Sequence, residues 1–160
     1  MYKLSKASIE AMKGVHPNLV EFMKELIAIS PHDFKITQGV RTAEYQNLLY
    51  QQGRTRPGNK VTGADGYRYK SNHQIKYDGL GYAVDIGVLK MENGKLVYKG
   101  SARDFHFYKE IYHIAVAHGL TKKYGVEWGG NCFKNYVDGP HWQIKGASSC
   151  LLYTSPSPRD

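Results

Sequence analysis

The chain has 160 residues, 41% of them hydrophobic, which suits one domain with a single core and excludes wholesale disorder. A charge interrupts every apolar run after a few residues, so none can span a membrane, and the opening Met1-Tyr2-Lys3-Leu4-Ser5-Lys6 lacks a secretory signal's apolar run. The formal charge of +8 favours an anionic partner without choosing among nucleic acid, acidic lipid and bacterial wall. The basic residues are spread along the chain, which speaks against a dedicated nucleic-acid tail. The expectation is a monomer, made and first held in the cytoplasm, with no stable membrane association.

Ser5 caps a short first helix through about Lys13, with Gly14 as its stop. Pro17 opens a second helix, whose apolar stripe is Leu19, Val20, Met23, Leu26 and Ile27, and Pro31 closes it. Phe34 to Gly39 reads as a strand with Phe34, Ile36 and Gln38 on one side. A third helix runs from Thr42 to Gln52, and residues 54 to 70 form a long glycine-rich surface loop. Tyr82 to Val88 is a strand, and Asn93-Gly94 between two apolar triplets signals a hairpin. Ser101 and Asp104 form a capping box for a helix that ends at Gly119, with its stripe at Phe105, Tyr108, Ile111, Tyr112 and Ala115. Short strands follow near 126–128 and 141–144. Helices first, then strands mixed with one more helix, make an α+β fold rather than a doubly wound sheet.

The last eleven residues, Cys150 to Asp160, resemble a translated sequencing adapter and are set aside as foreign to a domain spanning 1–149. That leaves Cys132 as the one cysteine expected to be native. A cytosolic origin also argues against a disulfide.

Of seven histidines, His16, His32, His106, His113 and His118 have no acidic or histidine partner at ligand spacing and read as surface or core-edge residues. His73, Asp85 and His141 differ, lying at a loop end, on a strand and just before a strand. Hydrolytic zinc usually takes three His or carboxylate ligands and keeps a position for water, whose pKa it lowers towards 7. A carboxylate that is not a ligand must then move the proton, and Asp138 stands three residues before His141. Spacing alone does not separate such a site from an incidental His/Asp pair. Arg41 alone reads as a salt-bridge residue at a helix start. Glu127 competes with Asp138 as a base, although its strand context favours a structural role.

Ser71-x-His73, Gly81-x-Ala83-x-Asp85 and Asp138-x-x-His141 together resemble the zinc D-alanyl-D-alanine carboxypeptidase family, which includes the phage L-alanyl-D-glutamate endopeptidases. Gly14-Val15-His16-Pro17, Gly39-Val40-Arg41-Thr42 with Gln46, and Glu127-Trp128-Gly129-Gly130 extend the resemblance to about Lys145. It implies a small mixed domain of the Hedgehog/DD-peptidase kind, with a mainly antiparallel central sheet flanked by helices. It also implies Zn²⁺ held by His73, Asp85 and His141, with Asp138 as general base. Arg41 would bind the substrate carbonyl and its oxyanion, and Ser71 and Gln46 would line the substrate site.

The implied function is that of an endolysin cutting the L-alanyl–D-glutamate bond of the peptidoglycan stem peptide. A D-Ala-D-Ala carboxypeptidase differs only in which peptide end the groove accepts. The implied location is the host cytoplasm until lysis, then the cell wall. A non-enzymatic basic binder of wall polymer or nucleic acid would explain the charge and the thirteen tyrosines, but not the order of the polar residues. His73 and Asp85 are twelve apart where the family usually has seven, so Gln74 to Leu80 is expected to form an extended turn beside the metal. Asp78 in that turn is a rival ligand, although Gly79 beside it favours a turn role.

Overall fold

Val84, Ile86 and Val88 project from one side of the longest strand and Asp85 from the other, so the sheet has two unlike faces. The computed structural model describes residues 1–147; the expected boundary after 149 and the segment 150–160 lie outside the described residues. The elements are α1 (Lys6–Ala11), α2 (Pro17–Ile29), β1 (Asp33–Gln38), α3 (Ala43–Gln51), β2 (Ala83–Glu92) and β3 (Lys95–Lys99). A 3₁₀ turn (Ala102–Asp104) then leads into α4 (Phe105–Ala117), α5 (Leu120–Tyr124), β4 (Val126–Trp128) and β5 (His141–Ile144). All strand pairs are antiparallel, in the order β1-β2-β5-β4 with β3 also pairing with β2. The expected α+β architecture is what the chain adopts.

On one face Val84, Ile86 and Val88 of β2 join Trp142, Trp128 and Val126. Helices α2 and α4 cover them with Leu19, Phe22, Met23, Leu26, Tyr108, Ile111 and Ala115, and these residues make the core. The stripe of α2 also includes Phe22, fully buried with its ring centroid 5.5 Å from that of Trp142, while the expected Val20 packs half-buried against the core's edge. The opposite face carries Asp85, His141, Gln143 and Glu127, since residues two apart on a strand share a side and cross-strand partners share a face. The segment after α3, without helix or long strand up to residue 82, packs residues 71–74 over that face.

Three local expectations change. Ile36 pairs with Ile86, but Gln38 pairs with Asp85, so a β-bulge at Thr37 turns Gln38 away from Phe34 and Ile36 to the polar face. The strand and the hairpin arm merge into one ten-residue β2, turned by Asn93 and Gly94 at φ 51° and 78°. Gly119 ends α4 in the left-handed region as expected, and the chain then re-enters a short helix, α5. Among the described residues no helix is long and apolar enough to cross a membrane.

Candidate metal centre

Asp85 and His141 are direct cross-strand partners, which brings their side chains together on the polar face. His73 comes from the loop, and its turn is pinned at several points. Its own N–H donates to Ser71 Oγ at 3.0 Å, the Ser71 N–H donates to Gln74 Oε1 at 2.8 Å, and Arg41 N–H donates to the His73 carbonyl at 2.9 Å. Asp85 Oδ1 then lies 3.3 Å from His73 Nε2 and 3.2 Å from His141 Nδ1. Both imidazoles are fully buried, and one ligand atom from each of the three residues fits within 4.8 Å of the others. The geometry can hold a metal ion.

The hydrogen bonds fix where the ring protons sit. His73 Nδ1 is 2.9 Å from the Gly39 carbonyl, which can only accept, so the proton is on Nδ1 and the lone pair on Nε2 faces Asp85. His141 Nε2 is 2.8 Å from Gln143 Oε1, so its Nδ1 lone pair faces the same carboxylate. Three electron-rich atoms so close together repel one another unless a cation or a proton lies among them, and two neutral imidazoles with a carboxylate suit a divalent metal. Burial opposes ionisation of Asp85, but when a proton rather than a metal lies among the three, the charge and hydrogen bonding of the protonated rings of His73 and His141 outweigh it. They hold the carboxyl well below its ordinary value.

The other oxygen of Asp85 accepts from Arg41 Nη2 at 3.2 Å. Arg41 also donates through Nε to Gln38 Oε1 at 2.9 Å and through Nη1 to Gln46 Oε1 at 3.1 Å, so the guanidinium is held on three sides. Gln46 is completely buried, and its amide nitrogen donates to Thr62 Oγ1 and the Ala64 carbonyl. Ser71 is equally hidden, with its hydroxyl engaged by the His73 backbone. The structure thus places Gln46 and Ser71 behind the site's surface, where they support Arg41 and His73. A cleft of about 540 Å³ opens in front, lined by Arg41, Asp85 and Asp138 with Tyr45, Lys60 and Tyr136. Asp138 stands on the same lip as His141, because the His141 N–H donates to the Asp138 carbonyl at 3.1 Å.

A family model for the phage L-alanyl-D-glutamate peptidases matches residues 1–144. The chain belongs to this family. It is 34% identical over 116 residues to the peptidoglycan L-alanyl-D-glutamate endopeptidase CwlK of Bacillus subtilis (strain 168); the match covers 70% of this chain and 60% of that protein. The chain thus spans less than two thirds of that relative's length. The fold resembles the crystal structure of the Serratia marcescens L-Ala D-Glu endopeptidase ChiX, with a TM-score of 0.58 and 24% identity over 91% of this chain and 92% of that one.

Other candidates for the chemistry fall away in this family member. Asp78 accepts from the Leu80 N–H at 3.1 Å and from the Tyr82 hydroxyl at 2.5 Å, a turn role outside the cluster. His16 caps α2 through Nδ1, and His32 has an acidic partner that its spacing hid, Glu110 on α4 at 2.7 Å. Burial above all pushes the Cys132 thiol up to about 12, which makes it a poor nucleophile at neutral pH. Gly39, Gln38, Asn72 and Gln143 also support the site, and no role at the site was expected of them. Gln143 alone carried a usable signal, since it lies two residues after His141 on the same strand.

Proposed function

We propose that this chain is a zinc peptidase of the phage-lysin type, with its catalytic domain in residues 1–149, that hydrolyses the L-alanyl–D-glutamate bond of the peptidoglycan stem peptide. The observation that carries the reading is the convergence of His73 Nε2, Asp85 Oδ1 and His141 Nδ1, with both ring protons committed elsewhere, at the end of a cleft bearing Arg41 and Asp138. Zinc bound there supplies a Lewis acid that polarises the amide carbonyl and acidifies water.

The chain's own residues do the rest. Asp138 takes the proton of the attacking water and delivers it to the departing amide nitrogen of the glutamyl residue. Arg41 uses three of its N–H groups on Gln38, Gln46 and Asp85, and the remaining donors of its five point charge and hydrogen bonds at the carbonyl oxygen as it becomes negative. Because Arg41 is already held in place, it need not reorganise when that charge develops. Lys60, on the cleft wall, supplies a cation for a glutamyl carboxylate. The net charge of +8 draws the protein to an acidic wall once it leaves the cytoplasm at lysis.

The test is digestion of purified peptidoglycan with and without a chelator. Chelation should stop turbidity clearing, zinc should restore it, and the newly freed amino terminus should be D-glutamate. Release of D-alanine instead would assign a carboxypeptidase, and clearing indifferent to chelation would remove the metal from the reaction.

A further inference from the structure

One ring nitrogen of His141 faces Asp85; the other is tied to a buried polar chain that the proposed reaction leaves without a role. His141 Nε2 is 2.8 Å from Gln143 Oε1, and Gln143 Nε2 donates to Glu127 Oε2 at 2.7 Å. Gln143 Oε1 also accepts from Asn72 Nδ2 at 3.1 Å, and Asn72 Oδ1 accepts from Lys76 Nζ at 3.1 Å. Sheet register builds the first part. Gln143 lies two residues beyond His141 on β5 and opposite Glu127 on β4, so the three side chains share a face.

The chemistry of the end group sets the direction of the whole chain. An ionised Glu127 can only accept, so the end of Gln143 that meets it is the NH₂ group. The Gln143 carbonyl then faces His141 and Asn72, both of which must donate. His141 is thereby left with its proton on Nε2 and its lone pair on Nδ1. Gln143 is 1% exposed and Asn72 5%, so reversing either amide would bury a mismatch of donors and acceptors.

We propose that Glu127, Gln143 and Asn72 are positioning residues that lock the tautomer and ring orientation of His141 and strengthen its hold on the metal. Lys76, in the extended turn after His73, anchors the far end of this relay. That gives the additional Gln74 to Leu80 segment a purpose: it ties the turn carrying one ligand, His73, to the support of another, His141. Glu127 thus acts through His141 and not as the base.

The inference rests on His141 being a metal ligand, and it is tested by zinc binding and tautomer state, not by peptidoglycan cleavage. Its failure therefore remains distinct from failure of the proposed activity. Zinc affinity is measured by competition with a chromophoric chelator on protein shown to be folded by circular dichroism. Gln143→Leu removes the amide's contacts with His141, Asn72 and Glu127 at similar volume and should weaken zinc binding by roughly 10–100-fold. Glu127→Gln, which keeps an acceptor but loses the charge, should weaken it less. Unchanged affinity in folded Gln143→Leu overturns the proposal. Should that variant not fold, nitrogen-15 NMR of the metal-free wild type decides. A His141 ring that carries a proton on Nε2 supports the relay, and one protonated on Nδ1 alone overturns it.

Discussion

Asp85 and His141 stand opposite each other on β2 and β5, and Asp85 Oδ1 meets His141 Nδ1 at 3.2 Å. Register alone thus sets two of the three proposed ligands, and only His73 depends on a loop. The same carboxylate holds Arg41 through its second oxygen, so Asp85 joins the metal centre to the cationic donor. If the three residues bind zinc, the ion stabilises the folded state by mass action. At about a hundredfold excess over the dissociation constant the gain is about 2.7 kcal/mol. For a domain of this size that raises Tm by roughly 5–10 °C. Asp85→Ala should abolish the zinc-dependent rise, as should His73→Ala, in a thermal melt read with and without zinc.

Asp138 lies on the cleft lip outside the triad, so its role separates cleanly from metal binding. Asp138→Asn keeps size and polarity but cannot take up a proton. Zinc affinity should be unchanged while kcat falls by about 10²–10⁴-fold. Steady-state hydrolysis of a stem-peptide substrate, set beside a zinc titration, checks both halves. Wild-type turnover in this variant would remove Asp138 as the base.

Arg41 and Gln46 should give different kinetic signatures. Arg41→Gln removes a fixed cationic donor from the carbonyl oxygen and should lower kcat by about 10²–10³-fold. Gln46 is buried behind it and bonds both Arg41 and the loop at Thr62 and Ala64. Gln46→Leu should therefore lower Tm as well as kcat, because it strands the Ala64 carbonyl and frees the guanidinium. If Gln46 touched substrate directly, the chief effect would be on KM with Tm unmoved.

Much of this arrangement was legible in the sequence because local chemistry dictates it. Asn93-Gly94 accepts the positive φ of a tight hairpin, Pro17 opens α2 at its first position, and short strands form at 126–128 and 141–144. The likeness of His73, Asp85 and His141 to the family pattern picked out three residues that the fold does bring together. What stayed hidden depends on partners far away in the chain. The bulge that turns Gln38 towards Arg41 exists only because β1 must match β2. The Gly39 carbonyl that orients His73 is a backbone atom, silent in any side-chain pattern. The depth of Gln46 and Ser71 is another such feature, since motif order says nothing of burial and the fold buries both.

Asp65 makes the loop's integrity depend on pH. Its carboxylate accepts N–H bonds from Tyr67, Arg68 and Tyr69 at 2.9–3.0 Å. These bonds, that of Tyr69 foremost, lower its pKa from the usual 3.8 against an opposing effect of burial. A depressed folded-state pKa means the stabilisation is complete above the unfolded value and is lost as pH falls through the folded one. The loop's Gly66 carbonyl holds Gln74 beside His73, so the effect reaches the site. At pH 5, Asp65→Ala should speed amide exchange at residues 67–69. Acidifying the wild type below about pH 4 should begin to lower the protection of the same amides, taken relative to the intrinsic exchange rate at each pH.

Gly39 couples the packing of α1 to the metal centre. Its carbonyl accepts from His73 Nδ1, while a methyl group on its Cα would lie 1.9 Å from the Ala11 carbonyl oxygen. The obstacle is backbone, which no rotamer change can move aside. Gly39→Ala must therefore push the end of β1 off α1 and draw the carbonyl away from His73. Stability should fall by about 1–3 kcal/mol, as overpacking typically costs, and zinc affinity should drop with it. Gly79→Ala provides the contrast, since its φ of 81° is strained for alanine but nothing lies within 4 Å of the added carbon. That variant should lose about 1 kcal/mol through backbone strain alone and bind zinc as the wild type does. Chemical denaturation with a parallel zinc titration distinguishes the two; equal affinities in both variants would mean that the Gly39 carbonyl does not hold His73 in place for the metal.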